Sequence, residues 1–327
     1  MDVDKVPGRR GALRLRLPWF FVNATLVIGL FAPLIANNVP VLAVVDGAYS
    51  FPAFADLVGD APPGPSDLTW KQWCSQLGSD SEDWAWMPLW PYGPLETNAS
   101  LFFAQPSLSH PLGSDDTGRD VLSRLIHGAA TAVSLGLPSV LLAALIGTLL
   151  GAWAGFSRGI VDVVVQRFIE LFLCFPTLLF LLFASAFFGS SWLALITVMV
   201  LRFWISFARI VRGEVLSLRE RDFVLVARGL GISTRRILMY HLMPQVISAV
   251  GVTAAFCMAS AIVAESTLSF LGIGPNAESS WGTMLRQGSD QAVLGMWHLW
   301  LFPALAIIVV VVSCHMLADR LRVHLVS

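Results

Sequence analysis

Six long apolar stretches constrain this chain more than any other feature. They run over about 19–36, 128–156, 168–188, 192–211, 246–271 and 298–317, each close to the ~20 residues that an α-helix needs to cross a bilayer. In lipid every backbone N–H and C=O must be satisfied internally, so such stretches can only be helices. The first follows Lys5, Arg9, Arg10, Arg14 and Arg16, a basic start shared with signal peptides. Ala36-Asn37-Asn38 is a poor cleavage site, so this run is expected to be retained as a first helix. Six spans leave both termini on one side. With both ends in the cytoplasm, sixteen of the 21 basic residues lie at the cytoplasmic side and four outside, with Arg202 inside a span. That asymmetry is the one expected of membrane proteins.

The expected architecture is therefore an all-α integral membrane bundle of six transmembrane helices. Residues 1–36 form the cytoplasmic N-terminus and first helix, 37–127 an extracytoplasmic insertion, and 128–327 the core, with a cytoplasmic loop at 212–245. The insertion turns to Pro, Gly, Asp and Trp, with eleven acidic residues against three basic ones. Trp70, Trp73, Trp84, Trp86 and Trp90 supply apolar surface for a small packed unit or a docking face. The run from Val41 to Phe51 has a hairpin pattern around Asp46-Gly47. Asp115, Asp116 and Asp120 suit a turn at Asp116-Thr117-Gly118 better than a cation site. The turn should start an amphipathic helix over 119–127, lying at the outer interface ahead of the second span.

Several chemistries are excluded. The only lysines are Lys5 and Lys71, and neither belongs to a phosphate-binding glycine loop; HExxH and GxSxG motifs are absent too. No cofactor and no metal is expected on this chain. A net charge of −1 gives no basic field to recruit nucleic acid. Cys74, Cys174, Cys257 and Cys314 form no CxxC pair and are read as small hydrophobes.

Within the spans, Arg202 lies ten residues from either end of its helix, about 15 Å from water at ~1.5 Å per residue. A charge at that depth normally faces a bundle interior, a watery cavity or a partner. Glu265 is a candidate partner, and Arg202, Glu265 and Pro176 are candidate residues of a solute path. Phe175-Pro176 and Pro138 should kink their helices. Gly147, Gly151 and Gly155 fall four apart on one helix face, as close helix contact requires, and a second membrane subunit is one candidate for that contact.

The most specific region is the arginine-rich connection at 212–245, with the string FVLVARGLGISTRRILMYHLMPQ starting at Phe223. Phe223, Val226, Ala227 and Leu230 repeat at helical spacing; Gly231-Ile232-Ser233 breaks the helix, and Ser233 can cap a second one running through Ile237. The small Ala227 and flexible Gly231 would let another protein approach the backbone.

This string resembles the EAA loop of ABC importer permeases, in which EAA, three residues, Gly, nine residues and IxLP follow one another. Ala227, Gly231, Met243 and Pro244 match that spacing; Leu225 stands where glutamate is usual, Val226 where the first alanine is usual, and His241 at the isoleucine position. The strings starting at His110, Arg212, Ala264 and Ser280 are similar to C-type permease subunits of dipeptide and oligopeptide importers, the DppC/OppC family; residues 34–54 are similar to its Yej-type subgroup.

The resemblance implies a type I ABC importer permease fold and a loop that docks on an ATPase through Leu225, Val226, Ala227, Gly231, Ile232, Ser233, Arg235, Arg236, His241 and Pro244. It implies partners too: a second, B-type permease, two ATPase subunits that carry ATP and magnesium, an extracytoplasmic solute-binding protein, a peptide substrate and the bacterial inner membrane. Two other readings stay open. One is a nickel or other small-solute importer of the same family; the other is a proton-coupled carrier with Arg202, Glu265 and Glu170 as its relay, for which inverted repeats would be expected.

Overall fold

The computed structural model describes residues 9–58, 65, 68–77, 82–157, 159–189, 191–274 and 279–326. Helices dominate: α1 (Arg9–Ile35), α2 (Pro52–Val58), α3 (Trp70–Gln76), α4 (Val121–Ser157), α5 (Ile160–Leu173), α6 (Thr177–Phe188), α7 (Trp192–Leu218), α8 (Asp222–Gly229), α9 (Thr234–Arg236), α10 (Met243–Phe270), α11 (Trp281–Asp290) and α12 (Trp297–Val326). Among the described residues there are three short strands, β1 (Leu42–Val45), β2 (Ala48–Ser50) and β3 (Trp84–Trp86). Among the described residues five helices are long and apolar enough to cross a membrane, and α5 with α6 makes a sixth span if the bent pair is counted as one. The chain divides into two compact units.

The first unit comprises Met1–Asn23, Leu135–Asn276 and Ile308–Ser327. Its core surrounds α7, whose Val198, Met199, Ile205, Phe207 and Ala208 are wholly buried among residues of α4, α6 and α10. The glycine stripe makes this possible. A Cβ on Gly147 would meet the Trp204 carbonyl, one on Gly151 the Ala208 backbone, and one on Gly155 would lie 2.9 Å from the Arg212 carbonyl oxygen. The stripe thus packs α4 on α7 inside this chain, and a second subunit is not needed to explain it. At the same end Arg219 donates to the Gly155 and Phe156 carbonyls at 2.9 and 3.2 Å, satisfying the last turn of α4. Arg212 forks onto Asp162 of α5, with Nη2 2.7 Å from Oδ2.

The third span is broken rather than kinked. α5 and α6 meet at 90°, because Pro176 has no N–H to donate and forces its predecessor out of helical geometry. It stands at the N-cap of α6 with ψ 133°. Phe172 and Phe180 pack edge to face across the break, 5.7 Å apart. Pro138, by contrast, is accommodated within the 37 residues of α4.

The second unit comprises Ala24–Ser134 and Ala277–Ile307. Its sheet has the order β2-β1-β3, all antiparallel. The β1–β2 hairpin turns at Asp46 and Gly47, both with positive φ (50° and 74°), as an Asp-Gly turn requires. Ala43 on one face of the sheet is sealed against Trp70 and Trp73 of α3. Thr69 and Gln72 close a capping box at the start of α3.

The helix expected over 119–127 is not separate from the second span: α4 begins at Val121 and runs unbroken to Ser157. Asp120 caps it through Ser123 N–H at 2.8 Å, and nothing between there and Gly128 interrupts the backbone. Gly128 lies where the Trp281 ring would meet any Cβ, and the Trp281 indole donates to the Leu125 carbonyl at 2.9 Å.

Candidate functional site

The arginine-rich connection folds as a short helix with a fully built stop. Asp222 in the first turn of α8 and Arg228 in the last complement the helix dipole. At its C-terminus Gly231 adopts φ +77°, Gly231 N–H bonds the Arg228 carbonyl at 2.9 Å, and Ile232 N–H bonds the Ala227 carbonyl at 3.1 Å. These are the two hydrogen bonds of a Schellman motif, with Ala227 at the position whose side chain packs on Ile232. Ala227 and Ile232 share one apolar cluster with Val211, Val215, Leu218, Val224, Ile237 and Leu242. The Ala-xxx-Gly spacing is therefore a helix-termination signal. Ala227 is buried against its own chain, which corrects the expectation that its small side chain admits another protein.

The outward face of α8 is different in character. Phe223, Leu225, Val226 and Leu230 are exposed, Val226 at 60% and Leu230 at 75%. Arg221, Arg228, Arg235 and Arg236 are exposed around them, and the Arg228 guanidinium rests over the Phe156 ring 4.7 Å away. The exposed face of α8 is apolar, and its flanks carry Arg221 and Arg228 together with the acidic Glu220 and Asp222. Gly231 has open space where a Cβ would be.

Ser233 stands at the N-cap of α9, but its hydroxyl makes no capping bond; its carbonyl accepts from Ile237 N–H at 3.1 Å. The second helix does not end near Ile237. It widens into a π turn over Ile237–Leu242 and continues as α10. Pro244 in the first turn of α10 supplies the reason, since its ring and missing N–H disrupt the regular ladder there. Gln245 Nε2 donates to the His241 carbonyl at 2.9 Å at the widening. His241 and Pro244 are both exposed.

Inside the bundle Arg202 is half-buried and donates through Nε and Nη2 to Thr177 Oγ1, at 3.0 and 2.7 Å. Thr177 is the first residue of α6, so the break at Pro176 puts that hydroxyl within reach. Arg202 thereby reaches the residue that follows Pro176, while Glu265 is not the partner of Arg202. Its buried carboxylate accepts from Ser269 at 2.8 Å and Ser266 at 3.3 Å, on its own helix. Thr177 also lines a groove of about 310 Å³ with Ser260 and Thr267 of α10 and His315 of α12. Pattern reading had no means of finding Thr177, because its role arises from a contact 25 residues away.

A second polar cluster lies in the second unit. Asp115 Oδ1 accepts from Thr117 N–H (2.9 Å), Thr117 Oγ1 (2.8 Å) and Arg119 N–H (2.9 Å), while Oδ2 takes Arg119 Nε (2.8 Å) and the Arg124 guanidinium. Burial pushes this carboxyl up, but Arg124 and the donors from Arg119 and Thr117 outweigh it and hold the pKa below the usual carboxylate value. Arg124 Nη2 continues to Gln287 of α11 at 2.7 Å. Asp120 bonds the Trp90 indole at 2.8 Å and lies 2.8 Å from His110 Nδ1. Among the described residues no group of three or more His, Cys, Asp and Glu could hold a metal ion.

Residues 147–327 match the family described as binding-protein-dependent transport system inner membrane component. A peptide permease protein of Brucella ovis is 35% identical over 72% of this chain and 79% of its own length. A peptide transport system permease protein of Brucella suis is 36% identical over 70% and 77%. The dipeptide transport system permease protein of Alkalihalophilus pseudofirmus is 34% identical over 69% and 75%.

Proposed function

Because the chain belongs to the binding-protein-dependent transport system inner membrane component family, we propose that it is the permease subunit through which an ABC importer moves di- or oligopeptides into the cytoplasm. It is a multi-pass membrane protein and a translocating, not a catalytic, component. The peptide substrate rests on the relatives, which are named for peptide and dipeptide transport. The proposed assembly adds a B-type permease, two ATPase subunits holding ATP and magnesium, and an extracytoplasmic solute-binding protein. It lies in the bacterial inner membrane, with residues 37–127 outside and both termini cytoplasmic.

One observation supports the mechanical part of this reading above the others: the exposed apolar face of α8, projecting from a helix whose other face is locked into the bundle. Val224 and Ala227 tie α8 to the end of α7, and the π turn ties it to α10. A push on α8 is then delivered to two spans at once, the kind of rigid-element displacement that interconverts two packed states. In this mechanism ATP-driven closure of the ATPases supplies the push. Residues 212–245 are the coupling segment, with Val226 and Leu230 at the contact and Ala227, Gly231 and Ile232 holding its shape.

A proton relay through Arg202, Glu265 and Glu170 finds no geometric support. Arg202 engages Thr177, Glu265 accepts from serines of its own helix, and Glu170 pairs with Arg167 at 2.6 Å. Cysteine crosslinking tests the proposal. Val226→Cys and Leu230→Cys should crosslink to a co-purifying ATPase subunit in a nucleotide-dependent way, and Ala227→Cys should not. Labelling of Val226→Cys from outside the cell, or failure of both exposed positions to reach any nucleotide hydrolase, would sink it.

A further inference from the structure

The sheet of the insertion has one sealed face and one open one. In the register Val44 lies opposite both Tyr49 of β2 and Trp84 of β3, and Leu42 opposite Trp86. Directly paired residues project to the same side, so Leu42, Val44, Tyr49, Trp84 and Trp86 share the face turned away from Trp70 and Trp73. Val44 is buried at its centre, while Tyr49 and Trp86 are 74% and 67% exposed. Exposed Trp and Tyr clustered around a small apolar centre are what interface hot spots are built from.

The rim is acidic. Asp46 at the hairpin turn accompanies Glu82 and Asp83 at the start of β3, with Asp46 N–H donating to Asp83 Oδ1 at 2.9 Å. Each of the insertion's three basic side chains has a carboxylate partner away from this rim. Lys71 is held by Glu96 at 2.6 Å, and Arg119 and Arg124 by Asp115. A second copy would meet this face with like charge, and an anionic lipid surface would be repelled by it. The family name itself requires a binding protein to visit the outer side, and the sheet lies outside the residues that the family match covers.

Resting on the reading above, we propose that this aromatic face docks the solute-loaded binding protein, through an apolar patch on that protein rimmed by Lys and Arg. Trp86 and Tyr49 fill the patch, and Asp46 and Glu82 steer the approach. The contact is specific to permeases carrying the insertion and adds to whatever the membrane core offers.

The test uses the full complex with its ATPases in nanodiscs, titrated with its own binding protein while ATP hydrolysis is followed. Trp86→Ala with Tyr49→Ala should raise the half-saturating binding-protein concentration roughly ten-fold, as loss of aromatic anchors does. Asp46→Lys with Glu82→Lys should raise it as well and flatten its salt dependence. An unchanged half-saturation in both variants overturns the proposal. Trp86→Cys carrying a fluorophore checks the occupant. Quenching by spin-labelled lipid, or inaccessibility before binding protein is added, would assign the face to the bilayer or to the paired permease and equally overturn it. Should the wild-type complex show no stimulation by any solute-binding protein, the importer reading itself fails, an outcome distinct from loss of docking.

Discussion

Three residues show how far a side chain's chemistry decides its role. Gly151 has the Ala208 backbone against it, so Gly151→Leu should force α4 off α7 at a cost of about 1–3 kcal/mol, typical of overpacking. Gly213 on α7 has nothing within 4 Å of its Cβ direction, and Gly213→Ala should be neutral or gain up to ~1 kcal/mol in helix propensity. Thermal unfolding of the purified complex distinguishes the two. Asp115 gives a pH prediction. Its folded pKa lies below the ordinary value, so its contribution is complete above the unfolded pKa of about 4 and is lost as pH falls through the folded value. Stability of the wild type should therefore decline below about pH 4. Asp115→Asn should be destabilised near neutrality by about 3 kcal/mol or more, because Arg119 and Arg124 lose a buried counter-charge, and its decline in acid should be shallower.

At the scale of elements, α8 divides its duties between faces. Leu225 stands where the related loops carry glutamate, with Arg221 four residues before it and Arg228 three after. Leu225→Glu should be tolerated, because both arginines are placed to pair with it; Val226→Arg should lower peptide uptake by adding charge to the apolar centre of the face. Gly231→Ala should lower uptake too, since a left-handed residue with a Cβ costs about 1–2 kcal/mol; Gly231→Asn should lose less. Uptake per ATP hydrolysed measures all four. The helix, its break and the second helix were legible in the local spacing, because a Schellman stop is written into consecutive residues. The inward turn of Ala227 was not legible, because it depends on where α7 and the π turn lie. The hairpin at Asp46-Gly47 was legible for the same local reason, whereas the break at Pro176 passed for a kink because hydropathy runs unbroken across it.

For the whole molecule the expected topology makes one further prediction. An impermeant thiol reagent applied to intact cells should label Tyr49→Cys and leave Val226→Cys untouched until the membrane is opened. The apolar runs determined by themselves that this chain is a helical membrane protein, since about 20 consecutive apolar residues have one stable form in lipid. The spacing around Ala227 and Gly231 likewise determined a helix stop and pointed to the family. Only the tertiary structure decided that the Gly147–Gly151–Gly155 stripe meets α7, that Arg202 reaches Thr177 and not Glu265, and that Arg124 reaches Gln287 of α11. These outcomes rest on distances between segments far apart in the chain, and hydrophobic periodicity carries no term for them: it specifies which face is buried, and packing alone specifies against what.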